Sequence, residues 1–259
     1  MPIANEKSSI KFKALPAELA ELSDKLFRNL LPSTAILSLT PMEQITEQDI
    51  RNWLHKKERK QLATYTHAKR NREWLGGRIC AKEGLRLFFH RQGKATNVPH
   101  RSQYRVRNEE SGKPCFANLT GSSFSLPELS ITHSNGLAAA LTCLSHCGID
   151  VQYSSEKLLR VKERFCTSNE EQLLQDNLPQ LTDISQLTLL WAGKEAVKKM
   201  LSPGGIPGFH ELNLQQLTTQ NTNSAILHFS RTDRHETLFP VAAGIMDKEY
   251  GLALCCHKS

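Results

Sequence analysis

Two apolar stretches, Gly136–Leu144 and Gly251–Cys256, have the length of β-strands, and this limits what the chain can be. A membrane-spanning helix needs about 20 apolar residues in succession, and no stretch approaches that. What precedes the two runs is similar in order. Thr34–Leu39 alternates like a strand. Helical spacing then starts at Thr46, through Ile50, Trp53, Leu54 and Leu62, and returns over Ala68–His90 with Trp74, Leu75, Ile79, Leu85, Phe88 and Phe89. Leu129–His133 and Leu137–Leu144 pair across Asn135-Gly136, a tight-hairpin dipeptide. After His146 the order restarts with a strand at Gly148–Tyr153 and helical segments over Glu156–Phe165, Asn169–Asp176 and Asp183–Met200, the last closed by Ser202-Pro203-Gly204-Gly205. Strands follow at Leu212–Thr218, Ala225–Ser230, Thr237–Met246 and Gly251–Cys256. No literal repeat accompanies this order. It predicts an α+β protein of two similar α/β subdomains, residues 1–146 and 147–259, with a ligand in the cleft between them.

Composition narrows the partners. The 33 Lys and Arg exceed the 26 Asp and Glu, giving a net charge of +7. The excess lies in the first 107 residues, so anionic ligands are expected there. Helical spacing puts Lys57 with Lys60, and Arg78 with Lys82, on common faces that would suit phosphates or an acidic protein. Aromatic residues are only 7%, and no groove-reading or single-strand motif accompanies the charge, which argues against nucleic acid. Seven cysteines without framework spacing predict reduced, buried thiols in a cytosolic protein. Cys143, His146 and Cys147 lack the second Cys/His pair of a structural zinc site. The N-terminal MPIANEKSSIKFK has no apolar core of a secretion signal.

Four segments could carry chemistry. Trp191, Lys194, Glu195 and Lys198 stand at i, i+3, i+4 and i+7, one helix face with an aromatic, a carboxylate and two ammonium groups. A solvated charged face beside a core tryptophan fits the same spacing. In Gly148-Ile149-Asp150-Val151-Gln152, alternation puts Asp150 and Gln152 on one side of a strand. An acid in a central strand is costly unless it meets a cation or a donor, and Mg²⁺ is one such partner; capping a following turn is the other reading. Ile131-Thr132-His133-Ser134 brings a hydroxyl and an imidazole to a strand end, as phosphate donors or structural hydrogen bonders. Ser111-Gly112-Lys113-Pro114 is a turn presenting one ammonium, without the glycine spacing of a Walker loop.

Taken in order, Gly112-Lys113-Pro114, Thr132-His133-Ser134, Gly148-Ile149-Asp150-Val151 and Trp191 with Lys194, Glu195, Ala196 and Lys198 closely resemble the 4′-phosphopantetheinyl transferases, the long Sfp-type group in particular. Trp74-Leu75-Gly76-Gly77-Arg78 through Lys82, and Arg164-Phe165-Cys166-Thr167-Ser168-Asn169-Glu170, extend the resemblance. It implies a pseudo-dimer of two related subdomains holding coenzyme A in the cleft. It also implies transfer of 4′-phosphopantetheine to a serine of an acyl or peptidyl carrier protein in fatty-acid, polyketide or nonribosomal-peptide synthesis, releasing adenosine 3′,5′-bisphosphate.

By the same resemblance, Asp150 and Glu195 hold Mg²⁺ and Lys198 sits on the phosphate oxygens. Lys57, Lys60, Arg72, Lys113, Thr132 and His133 bind coenzyme A. Glu195 is the first choice for the base that takes the serine proton, Glu170 the second. Gln152 stands where many members carry Glu, and a neutral amide binds Mg²⁺ more weakly. A cytoplasmic monomer is expected, bound to neither membrane nor nucleic acid. The alternative is a non-catalytic binder of coenzyme A or another polyanion.

Overall fold

The computed structural model describes residues 10–39, 45–94, 98–117, 126–202 and 205–257. Its first half contains β1 (Phe12–Lys13), α1 (Ala17–Phe27), β2 (Ser33–Ser38), α2 (Glu47–Trp53), α3 (Lys56–Leu62), α4 (Ala68–Arg91), β3 (Arg105–Asn108), β4 (Pro114–Ala117), β5 (Glu128–Ser134) and β6 (Leu137–Cys143). The second contains β7 (His146–Tyr153), α5 (Lys157–Arg160), α6 (Ser168–Asn177), α7 (Asp183–Leu201), β8 (Leu212–Thr219), β9 (Ser224–Arg231), β10 (Arg234–Met246) and β11 (Tyr250–His257). One sheet is ordered β1-β2-β6-β5 and the other β7-β11-β10-β9-β8, while β3 and β4 form a separate hairpin. The mixed helix-and-sheet class predicted from sequence is the class observed.

The two apolar runs become β6 and β11, and their composition has a packing cause. β6 feeds two cores: Ala138 and Ala140 face α4, while Leu137, Ala139 and Leu141 join the core of the second half. β11 lies between α7 and α1, both of which pack on it. A strand covered on both faces has no place for polar alternation. The β5–β6 hairpin turns at Asn135 and Gly136, both with positive φ, as a two-residue turn of this kind requires. No described helix is long and apolar enough to cross a membrane.

Two helices differ from the sequence reading. The single helix expected from Thr46 to Leu62 is broken at Leu54, because His55 starts a new cap. Its Nδ1 accepts from the Lys57 amide at 3.2 Å, and Glu58 accepts from the His55 amide at 2.9 Å. Glu156–Phe165 holds only the short α5 and a 3₁₀ turn at Lys162–Arg164. Helix α7 ends at Leu201; Pro203 and Gly204, expected to close it, lie outside the described residues.

A repeat invisible as sequence identity is plain in the buried ion pairs. Lys82 on α4 donates to Glu58 of α3 at 2.6 Å, and Lys194 on α7 donates to Glu170 of α6 at 2.9 Å; both pairs span 24 residues. Each glutamate closes the capping box of its helix and accepts a strand amide, from Val106 or Leu214, at 2.8 Å. Each lysine also donates to two carbonyls, of Arg101 and Tyr104 or of Phe165 and Phe209. Breaking a buried pair leaves a lone charge, so Glu170→Gln is expected to cost about 3–5 kcal/mol in urea denaturation, and Glu58→Gln a similar amount. A loss under about 1 kcal/mol, the scale of an exposed pair, would show that these pins do not fix the helices within each half.

The two sheets meet where β5 runs beside β7, and side-chain hydroxyls make the junction. Ser130 Oγ accepts the Ile149 amide at 3.1 Å, Thr132 Oγ1 the Val151 amide at 3.2 Å, and Ser134 Oγ the Tyr153 amide at 3.0 Å. Alternate residues of one strand thus bond alternate amides of the other.

Candidate active site

β7 carries Asp150 into this junction, and Gly148 allows α7 to come close to it. A Cβ on Gly148 would overlap the Ala196 carbonyl oxygen and stand 2.9 Å from the Met200 nitrogen. The close approach brings α7 residues on either side of Ala196 against the strand. Lys199 Nζ donates to Asp150 Oδ1 at 2.7 Å and to the Ile149 carbonyl at 3.0 Å. Thr132 Oγ1 donates to the same Oδ1 at 2.9 Å. Burial raises the Asp150 carboxyl above its ordinary range, Lys199 and Thr132 pull it back, and the charge of Glu195 raises it again.

Lys198 Nζ donates to Glu195 Oε1 at 2.7 Å and lies 4.0 Å from the centre of the Phe209 ring. From the first half, the β3–β4 turn presents Lys113 after Gly112, whose φ is +85°. Lys113 Nζ pairs with Glu128 at the start of β5. Lys113, Glu195, Lys198 and Lys199 line one cavity of about 470 Å³, with Leu129 and Ile206 in its walls. Three ammonium groups around one space suit a polyanionic substrate.

A second cavity of about 350 Å³ belongs to the first half and is lined by Lys57, Arg70, Trp74, Arg78, Arg105 and Arg107. Glu58, the acid in its lining, is taken by Lys82 and the Val106 amide. Arg78 lies 4.6 Å from the Trp74 ring centre, and burial lowers its pKa. The Nε atoms of Arg78 and Arg105 are buried without an acceptor among the described residues. This pocket is short of negative charge. Its β3 wall and the Lys113 turn belong to one hairpin, in which Asn108 pairs with Pro114.

Several sequence expectations change. Glu170 is no candidate base, since it is buried and its oxygens are held by Lys194, Leu214 and Thr167. Lys194 turns into the core rather than sharing the face of Glu195, and burial lowers its pKa against the opposing pull of Glu170. Arg78 and Lys82 are buried instead of forming a surface. Thr132 is buried, with its hydroxyl bonded to Asp150 and Val151 rather than presented to a phosphate. His133 is exposed, with Nδ1 3.7 Å from Glu73, and lines neither cavity. Lys60 and Arg72 also line neither, whereas Lys57 lines the basic one. Gln152 donates its amide to the Tyr153 carbonyl at 3.0 Å. The residue that spacing passes over is Lys199. It stands four positions after Glu195, and Lys198 three, and both separations keep a helix face.

The shift that carries Glu58 to Glu170 also carries Glu83 to Glu195, Arg86 to Lys198, Leu87 to Lys199 and Ser38 to Asp150. Glu83 and Arg86 even keep the ion pair, at 2.6 Å. Leu87 lines the counterpart cavity, which α1 walls with Ala20, Ser23 and Asp24. With Leu for lysine, Ser for aspartate and a helix against it, this second cleft lacks the groups of the first.

No three His, Cys, Asp or Glu side chains among the described residues are placed to hold a metal. All seven cysteines are free thiols, six of them buried. Two carboxylates suit Mg²⁺ nonetheless, because that ion keeps several waters and completes its shell with substrate phosphates.

Residues 146–255, which contain β7 and α7 with all their charged groups, match the model of the 4′-phosphopantetheinyl transferase superfamily. The match spans less than half of the chain, and over it the chain is similar to that superfamily. Three solved synthases resemble part of the chain. The holo-(acyl-carrier-protein) synthase of Bacillus anthracis str. Ames, in complex with CoA (3′,5′-ADP), is 25% identical over 44% of this chain and 94% of its own, with a TM-score of 0.37. The holo-ACP-synthase of Plasmodium yoelii is 18% identical over 44% and 93%, with a TM-score of 0.35. The holo-[acyl-carrier-protein] synthase of Neisseria meningitidis is 17% identical over 43% and 94%, with a TM-score of 0.35. No curated protein sequence matches. The matched segment contains Asp150, Glu195, Lys198 and Lys199, while Lys113 and the basic pocket lie outside it.

Proposed function

We propose that the chain transfers the 4′-phosphopantetheine arm of coenzyme A to a serine of an acyl or peptidyl carrier protein, as a two-subdomain enzyme of the long Sfp-type group. One observation carries the reading: Lys113 of the first half meets Glu195, Lys198 and Lys199 of the matched segment around a single cavity, beside buried Asp150. Breaking a pyrophosphate calls for charge neutralisation and positioning more than covalent help. Asp150 and Glu195 would hold Mg²⁺, which supplies positive charge against the pyrophosphate oxygens.

Lys113 and Lys198 each have an ammonium proton on a carboxylate, and among the described residues their other donors have no hydrogen-bond acceptor and can turn to phosphate oxygens. Glu195 takes the proton of the attacking serine Oγ. The serine oxygen bonds to the β-phosphorus, the phosphoanhydride bond breaks, and adenosine 3′,5′-bisphosphate leaves with the electron pair. Its nucleotide phosphates fit the arginine-lined pocket on the same hairpin as Lys113.

Gln152→Glu is expected to lower the Mg²⁺ concentration for half-maximal rate by about tenfold, the usual scale for a group that tunes a metal ligand. An unchanged requirement would remove position 152 from the cation's surroundings. The test of function is a mass measurement on a panel of apo-carrier proteins incubated with coenzyme A and Mg²⁺. A gain of about 340 Da, the mass of the transferred arm, is expected on at least one. Coenzyme A binding with no gain on any carrier would leave a binding protein instead.

A further inference from the structure

Of the three hydroxyls that join β5 to β7, Thr132 alone has a second partner in Asp150. Ser130, Thr132 and Ser134 each accept one amide of β7, and Thr132 Oγ1 also donates to Asp150 Oδ1 at 2.9 Å. An amide can only donate and an ionised carboxylate can only accept, so the hydroxyl proton is directed at Asp150. Lys199 Nζ donates to the same Oδ1 at 2.7 Å. Oδ2 takes no hydrogen bond among the described residues. The carboxylate is thus held by one oxygen, from two elements, with the other left over.

We propose that Thr132 is a positioning residue for the divalent-cation site: its hydroxyl, tied to the backbone of β7, holds Asp150 by Oδ1 so that Oδ2 is presented to the ion. The inference rests on the metal reading given under Proposed function. It gives Thr132 a role other than contact with a coenzyme A phosphate, because the residue is buried and its one proton is committed. A ligand whose orientation is fixed by an outer partner binds its ion without first having to be ordered.

The test titrates Mn²⁺ into the full-length protein without coenzyme A and follows the Mn²⁺ paramagnetic resonance signal, so the readout does not depend on turnover. Thr132→Val keeps the shape and removes the hydroxyl, and is expected to weaken Mn²⁺ binding about tenfold or more. Thr132→Ser keeps the hydroxyl and should stay near wild type. Thr132→Ala gives the same reading as Val should Val not be accommodated. Ser130→Ala and Ser134→Ala also orphan a β7 amide but do not touch Asp150. They should lower Tm as Thr132→Val does and leave Mn²⁺ affinity unchanged.

Wild-type affinity in Thr132→Val, equal losses in Thr132→Ser, or equal losses in the two serine variants would overturn the proposal. Asp150→Asn separates the two claims. If wild type binds no Mn²⁺, or Asp150→Asn binds it equally well, the metal reading falls and the role of Thr132 with it. If Asp150→Asn loses the ion and Thr132→Val keeps it, only the role of Thr132 falls.

Discussion

Lys199→Met is expected to lower kcat/KM for coenzyme A by about 10²–10³-fold, the range found when a preorganised donor to developing charge is removed. Lys199 reaches the site with a fixed geometry, since its ammonium bridges the Ile149 carbonyl and Asp150. Its loss deletes a positive charge from the cavity wall and leaves a buried carboxylate with Thr132 as its described donor. Among the described residues, Lys198 is held by Glu195 on its own helix and by the face of Phe209. Lys198→Met should therefore cost less, about tenfold, the smaller end of what a single charged contact supplies. Steady-state kinetics on both variants, with Tm as a control for folding, decide between them. A larger loss for Lys198→Met would make Lys198, the phosphate contact that the family resemblance implies, the more important of the two.

Gly148→Ala is the second large effect, and it acts through the backbone. The added methyl would meet the carbonyl of Ala196 and the nitrogen of Met200, atoms of a helix that cannot rotate away as a side chain could. Overpacking costs about 1–3 kcal/mol where side chains can yield, so about 3 kcal/mol or more is expected here, with loss of activity as α7 is pushed off β7. Gly93→Ala is the contrast: φ is +70° there, but nothing lies within 4 Å of the added atom. Only the left-handed backbone penalty applies, about 1–2 kcal/mol. Urea denaturation of both variants measures the difference. Equal losses would mean that the approach of α7 to β7 is not what Gly148 is for.

Much of the architecture could be read before any coordinates, and what could not has physical causes. β6 and β11 were legible because strands covered on both faces leave little room for polar residues. The internal repeat was not. Each half keeps one glutamate and one lysine, while the caps differ (His55 and Thr167) and the aromatic residues below them differ (Trp53 and Phe165). A buried ion pair fixes two side chains and leaves their neighbours free to vary.

Helix phase was the harder problem at the site itself. Positions three and four beyond Glu195 share its face, and only contact with β7 distinguishes Lys199 from Lys198. For the basic residues, charge could be counted but burial could not. Arg78 depends on Trp74 and on Asn108 of a distant hairpin, and Lys82 on Glu58. The acid Asp150 was legible as a strand residue in need of a partner, but which partner it has is a property of the junction.

The most direct measurement is the anomalous scattering of Mn²⁺ in crystals of the full chain grown with coenzyme A. The account predicts one Mn²⁺ peak that contacts a carboxylate oxygen of Asp150 and one of Glu195 together, with Lys199 beside it. A peak on only one of these acids, or no peak near either, would contradict it.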